Sequence, residues 1–600
     1  MAESIIKRED VKAEDTWAME DIFESDDLWE KEAEQLKEMI THFPQYQGNM
    51  CESAAHLLEA LQEQDALNKC AERVYVYANQ KYHENTGNGT YQKMSANAQM
   101  LLTQTGDALS FVEPELIGLP QSQWESYKKQ VQKLQVYDRY MQELFRAKEH
   151  ILSKEMEAVL ARVYDIAQGP QNTFSMFNNA DVKFGMIKDE AGEETQLTHG
   201  RYVRFLESRD RNVRRAAFET LYKKYDAYQN TLASLMYTNV QQAVFYARER
   251  HYGSSLEAAL DGSHIPTAVY DNLIKAVHDH MQPMYDYMAL RRKMLGVDEL
   301  HMYDLHVPMV ESVDMHIPFE QAKEIVLAGL SVLGEDYLAK LREGFDHRWI
   351  DVYENEGKRS GAYSWGAYGT HPYVLLNYTD NLNNVFTLAH EMGHALHSYY
   401  SDAAQPYPYA GYKIFVAEVA STCNESLLIH YLIQHAKDKA EKAYLINYFL
   451  DQFKGTLYRQ TMFAEFEKTI HHMVEAGESL TAESLNEIYY GLNQQYYGEN
   501  VVSDPEIALE WSRIPHFYNP FYVYQYATGF SAAIAISRKI LDGEEGIVEK
   551  YKQFLSGGSS MDCIDLLKIC GVDMSTTRPV EEALDVFAEH VRMLEELTES

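Results

Sequence analysis

N-N-V-F-T-L-A-H-E-M-G-H-A-L-H-S-Y-Y (383–400) is the stretch on which the reading of this chain turns. Val385, Leu388, Ala389, Met392, Leu396 and Tyr399 recur at three- and four-residue intervals, the period of one helix face. Thr387, His390 and His394 fall on a second, narrow stripe. Residues four apart on a helix are neighbours, so the two imidazoles can hold one metal ion. Glu391 then lies beside that ion, placed to take a proton from a water there. Thr379 and Asp380 are candidate caps of the helix. The alternative is a surface helix carrying unrelated histidines. The apolar stripe argues against it, because a buried helix with one polar stripe needs a partner for that stripe, and a metal provides one.

Catalytic zinc usually takes three protein ligands plus water, so a third ligand is needed. The run I-F-V-A-E-V-A-S-T-C-N-E-S-L-L-I-H-Y-L-I (414–433) is apolar nearly all round and reads as a buried helix. Its acids, Glu418 and Glu425, are two helical turns apart and face the same way, with Ser421 and Thr422 between them. Isolated buried carboxylates are costly and are normally paired or metal-bound. Glu418 is therefore taken as the third ligand. Glu425 is placed to orient a ligand histidine through its other ring nitrogen. The longer pattern H-E-x-x-H-x-x-G-x-x-H is absent: His397 stands where it requires Gly, and Tyr400 where it requires His. His397 is rotated off the ligand stripe and reads as a packed or surface residue.

The stretches 361–401, 415–425, H-F-Y-N-P-F-Y-V-Y-Q-Y-A-T-G (516–529) and L-L-K-I-C-G-V-D-M (566–574) resemble the oligoendopeptidase F members of the thimet-oligopeptidase-like family of zinc metallopeptidases. The resemblance spans residues 200–590, while the N-terminal third matches in helical character. It implies a mainly α, two-lobed helical zinc-metallopeptidase fold with a deep substrate channel and a small β-sheet next to the H-E-x-x-H helix. It also implies one Zn2+ per chain on His390, His394 and Glu418, with Glu391 as general base. Beyond the motif, it assigns His516 and a tyrosine after it, Tyr522 or Tyr526, to the substrate carbonyl, where they would stabilise the oxyanion. The thimet-type pair of tyrosines three apart is missing from this cluster, so the tyrosine assignment is looser than that of His516. Asn519-Pro520 reads as the cap and first residue of a helix that the tyrosines begin.

Just before the metal helix, Ser360-Gly361-Ala362-Tyr363 and Pro372-Tyr373-Val374-Leu375-Leu376 read as two strands. An exposed edge there would bind an extended peptide through main-chain hydrogen bonds, making Gly361, Ala362, Tyr363, Val374 and Leu375 candidate substrate contacts. Residues 16–180 are successive amphipathic segments. The run 181–206 reads as strand–turn–strand and marks a division into 1–195, a helical N-terminal region, and 196–600, the catalytic region. Met302–Met309 is a further strand candidate.

Composition adds exclusions. Lys+Arg 54 against Asp+Glu 91 gives a net charge of −37, which speaks against nucleic acid or anionic membranes as partners. The five cysteines are odd in number and lack C-x-x-C spacing, as expected of reduced thiols in a cytoplasmic protein. The first residues carry no long apolar core, and no apolar run is long enough to span a membrane. The expectation is a cytoplasmic zinc endopeptidase acting on oligopeptides.

Overall fold

The computed structural model describes residues 5–310 and 315–599. Helices dominate, and the strands among the described residues form three small sheets. The chain divides into two compact units, each gathered from three separate stretches. The first comprises Met1–Glu149, Asp314–Tyr431 and Ile536–Gly571. The second comprises His150–Val313, Leu432–Ala535 and Val572–Ser600. The change of residue character near 195 corresponds to a hairpin inside the second unit, Gly185–Lys188 paired antiparallel with Glu194–Leu197.

In the first unit the N-terminal segment folds as long helices, among them Asp26–His42, Ala54–Glu84 and Gly89–Leu109. Ser25 and Ser53 cap the first two, each hydroxyl accepting a backbone N–H three residues on. Trp29, Leu36, Leu57, Leu61 and Leu101 bury their apolar faces in one core. A three-stranded sheet packs on that core. Its central strand is Tyr373–Leu375, parallel to Ile350–Asp351 on one side and antiparallel to Tyr363–Trp365 on the other. Alternation sends Tyr373 and Leu375 into the core of the N-terminal helices. There the Tyr373 ring meets Trp17 edge-on at 6.1 Å, and its hydroxyl donates to the Ala18 carbonyl at 2.9 Å. The sheet also packs against the helix Leu382–Ala404, as the sequence led us to expect of the H-E-x-x-H helix.

Two strand expectations need correction. The strand expected at 360–363 lies at Tyr363–Trp365, since Gly361 has a φ of 89° that turns the chain before it. Of the strand expected at Met302–Met309 in the second unit, none forms: the chain is extended just before it, at Leu300–His301, paired parallel with Val501–Val502. Met302–Asp304 turns as a 3-10 helix instead of continuing as a strand. The Asp304 carboxylate accepts the His301 N–H at 3.0 Å and is held by Arg211 and Arg214 at 2.8 and 2.6 Å. All five cysteines are free thiols, and four of them are buried. Among the described residues no helix is long and apolar enough to cross a membrane.

Candidate metal centre and active site

The helix Leu382–Ala404 is capped by Asn381, whose side chain accepts the Asn384 N–H at 3.0 Å. The cap thus lies just beyond the expected Thr379 and Asp380. Val385, Leu388, Ala389, Met392 and Leu396 are fully buried, so the apolar stripe is the packed face, while Tyr399 at its end is half-buried. This histidine helix crosses the helix Ile414–Gln434 at very short range. A Cβ on Gly393 would lie 2.6 Å from the Ser421 Cα and 2.9 Å from the Ala420 carbonyl oxygen, closer than side chains pack. Glycine between Glu391 and His394 is therefore what lets the two backbones meet. Asn424, wholly buried, ties them together: its amide donates to the Ala389 carbonyl at 3.1 Å and its oxygen accepts the Tyr337 hydroxyl at 2.9 Å. Neither residue was singled out from the sequence. Their only signals were a glycine inside a helical run and one amide in an apolar stretch.

The contact brings the expected residues together. Glu418 Oε2 lies 3.3 Å from His390 Nε2 and 3.4 Å from His394 Nε2. The three ligand atoms lie within 4.8 Å of one another, and among the described residues this is the one such group of histidine, cysteine and acidic side chains. Zinc bonds of about 2.0–2.2 Å at tetrahedral angles put neighbouring ligand atoms about 3.3–3.5 Å apart, so the two separations from Glu418 fit a metal. Glu425 Oε1 stands 3.3 Å from the other ring nitrogen of His390, Nδ1. The Ser421 hydroxyl donates to Glu418 Oε2 at 3.1 Å. Burial opposes the charge on His390, but Glu418 and Glu425 outweigh it and push its pKa up to about 10. Burial likewise opposes the charge on Glu418, and the two histidines reverse it, holding that carboxylate far below its usual range.

Glu391 is 7% exposed, and burial raises its pKa above the ordinary carboxylate value despite the two histidines. Side-chain exposures of 17% at His394 and 39% at Glu418 leave the cluster open on one side. His397 lies apart in the core, stacked on Tyr412 at 3.8 Å, the packed position anticipated for it.

Val374 and Leu375 correct the reading of the upstream strands. Both are fully buried on a central strand whose two edges are already paired. They form no exposed edge, because Ile350–Asp351, unrecognised in the sequence, occupies it. The free edge belongs to Tyr363–Trp365, with Gly361 and Ala362 leading into it.

In the second unit His516, Tyr522 and Tyr526 form one cluster. The His516 ring centroid is 6.3 Å from that of Tyr522 and 6.0 Å from that of Tyr526, and the two tyrosines meet edge-on at 5.5 Å. Tyr518 and Tyr524 are buried instead, Tyr518 stacked on Phe174 at 4.4 Å. Asn519-Pro520 does not start the helix, which runs Tyr524–Leu541. Phe521 takes a left-handed φ of 58°, and its N–H donates to the buried Glu467 at 3.0 Å, so the chain turns there before becoming helical. Burial, then the charge of Arg459, lower the pKa of His516.

Comparison with known proteins agrees with this geometry. The model of peptidase family M3 matches residues 204–586, and that named oligopeptidase F matches 115–184. The chain is 47% identical to oligopeptidase PepF of Bacillus subtilis over 596 residues, 99% of this chain and 89% of that one. A homologue of oligoendopeptidase F from Lactococcus lactis is 40% identical, over 99% of this chain and 98% of its own. The solved structure of oligoendopeptidase F from Enterococcus faecium superposes with a TM-score of 0.74 at 38% identity, covering 96% of this chain and 99% of that one. The chain belongs to peptidase family M3, as a metalloendopeptidase of the oligoendopeptidase F type that hydrolyses peptides.

Proposed function

We propose that this chain is a zinc-dependent endopeptidase of short oligopeptides, with His390, His394 and Glu418 as the zinc ligands and Glu391 as the general base. The observation that carries the reading is the convergence of two imidazole nitrogens and one carboxylate beside a buried Glu391. Two histidines and one carboxylate with an open position are a donor set suited to catalytic zinc. When bound, zinc supplies Lewis acidity, making water more acidic and a carbonyl more electrophilic. Glu391 takes the proton of the attacking water and then delivers it to the leaving nitrogen. Its raised pKa brings it nearer the pH at which one group can do both. Glu425 fixes the ring of His390 from behind. His516, with Tyr522 or Tyr526, donates to the carbonyl oxygen as charge develops there. The free edge at Tyr363–Trp365, approached through Gly361 and Ala362, offers main-chain groups to an extended peptide.

Metal analysis of the wild type and of Glu418→Ala, run beside mass spectrometry of a peptide library blocked at both termini, tests this reading. We expect one zinc per wild-type chain, internal cuts in the blocked peptides, and loss of zinc in the variant. A Glu418→Ala chain that keeps its zinc at full affinity removes Glu418 from the ligand set and makes Glu425 the next candidate.

A further inference from the structure

Ser398 lies one turn beyond His394 on the histidine helix, and Asp402 one turn further. Both line a cavity of about 640 Å³ within the first unit. The free strand edge reaches the same cavity through Ser364 and Trp365. Its other walls include the tyrosines Tyr137, Tyr368 and Tyr407 and the acids Asp65 and Glu72.

The acids are unequally answered. Asp65 accepts the Tyr137 hydroxyl at 2.7 Å. Glu72 has one oxygen, Oε2, buried without a hydrogen-bond partner. Burial, with Asp402 as a repelling neighbour, pushes its pKa up to about 7, although the Tyr368 backbone, the Tyr407 hydroxyl and Lys69 favour the carboxylate. Burial alone pushes Asp402 up to about 6, and among the described residues no cation or donor meets its carboxylate. One lysine is near: Lys69 Nζ lies 5.0 Å from the Tyr368 ring centroid and 5.1 Å from that of Tyr407. Those ring faces already hold a cation, yet Asp65, Glu72 and Asp402 against Lys69 leave the cavity short of positive charge. The missing charge is not a metal ion, since the acids here do not bring three ligand atoms together.

A partnerless carboxylate, Asp402, in a tyrosine-lined cavity recognises an organic cation, and the strand edge and histidine helix in the same walls point to a peptide as its carrier. We propose that this cavity is a subsite for a positively charged side chain, arginine or lysine, of the peptide being cut, with Asp402 and Glu72 as its counter-charges. The proposal rests on peptide hydrolysis by this chain and on docking along Tyr363–Trp365.

The test uses quenched fluorescent peptides blocked at both ends, so that no terminal ammonium competes. A single arginine is moved stepwise along the peptide, and each peptide is paired with a citrulline twin of the same size without the charge. For the wild type, kcat/KM should favour arginine about tenfold at one position and not at the others, the scale of a partly desolvated cation–π contact with an ion pair. In Asp402→Asn/Glu72→Gln that ratio should fall below about threefold. If the double variant does not fold, Asp402→Asn alone serves, read by the same ratio. A ratio near one at every position in the wild type, or an unchanged ratio in a folded variant, overturns the proposal. If the wild type cuts neither twin, the peptidase reading fails instead. The two Kd values from calorimetry then decide the subsite, with the same preference expected.

Discussion

His390 lies 3.3 Å from each of two carboxylates, Glu418 and Glu425, whereas His516 lies at the surface among tyrosine rings and feels the positive charge of Arg459. The same side chain is driven in opposite directions. For His390 the acids overcome burial and push the pKa up to about 10, while for His516 burial and Arg459 lower it. Under the proposed function, the difference separates two roles. A ligand must be gripped from behind so that its other lone pair has one direction, and a carboxylate at Nδ1 provides that grip. A donor that meets a developing negative charge is better kept neutral until the charge appears, since a full charge would bind the ground state as well. One region is built to hold still and the other to respond.

Variants at four places in the molecule break or sharpen this contrast. Glu391→Gln should keep zinc and the fold but lower turnover about 10²–10⁴-fold, because the amide cannot take a proton. Near wild-type turnover would remove Glu391 from the mechanism. His516→Ala should lower kcat about 10²–10³-fold with little change in KM and none in zinc content. Tyr522→Phe or Tyr526→Phe should act in the same direction. Steady-state kinetics decide this, and an effect on KM alone would make His516 a binding residue. Glu425→Ala should weaken zinc about 10–100-fold without abolishing it. Unchanged affinity by competition with a chelator would mean that His390 needs no grip. Gly393→Ala should cost about 1–3 kcal/mol of stability, since the added methyl meets the backbone of Ser421. A melting temperature and zinc affinity equal to wild type would show that the two helices can part without consequence.

The candidate metal cluster was legible because helical periodicity fixes it. Four residues separate His390 from His394 and seven separate Glu418 from Glu425, and both intervals return a side chain to one face. Gly393 and Asn424 were not legible, since each matters through the other helix, at Ser421 and at Ala389. Helical counting also failed at the tyrosines. Phe521 leaves helical geometry between His516 and Tyr524, anchored by a glutamate 54 residues earlier in the chain. Val374 and Leu375 read as strand residues and are, but whether a strand is edge or centre depends on Ile350–Asp351, whose two residues carry no pattern of their own.

The interleaving of the two units bears on how the chain is made. The histidines and glutamates leave the ribosome well before Ile536–Gly571, the last stretch of their own unit. That stretch sets Phe554 against His397 at 5.4 Å, and its Ser556 carbonyl accepts the Gln405 amide at 2.8 Å. A nascent chain therefore carries every proposed ligand while one flank of the histidine helix is still uncovered, and no N-terminal fragment that stops short of Gly571 contains a finished unit. Synthesis must pass Gly571 before the cluster of histidines and glutamates can acquire its full scaffold.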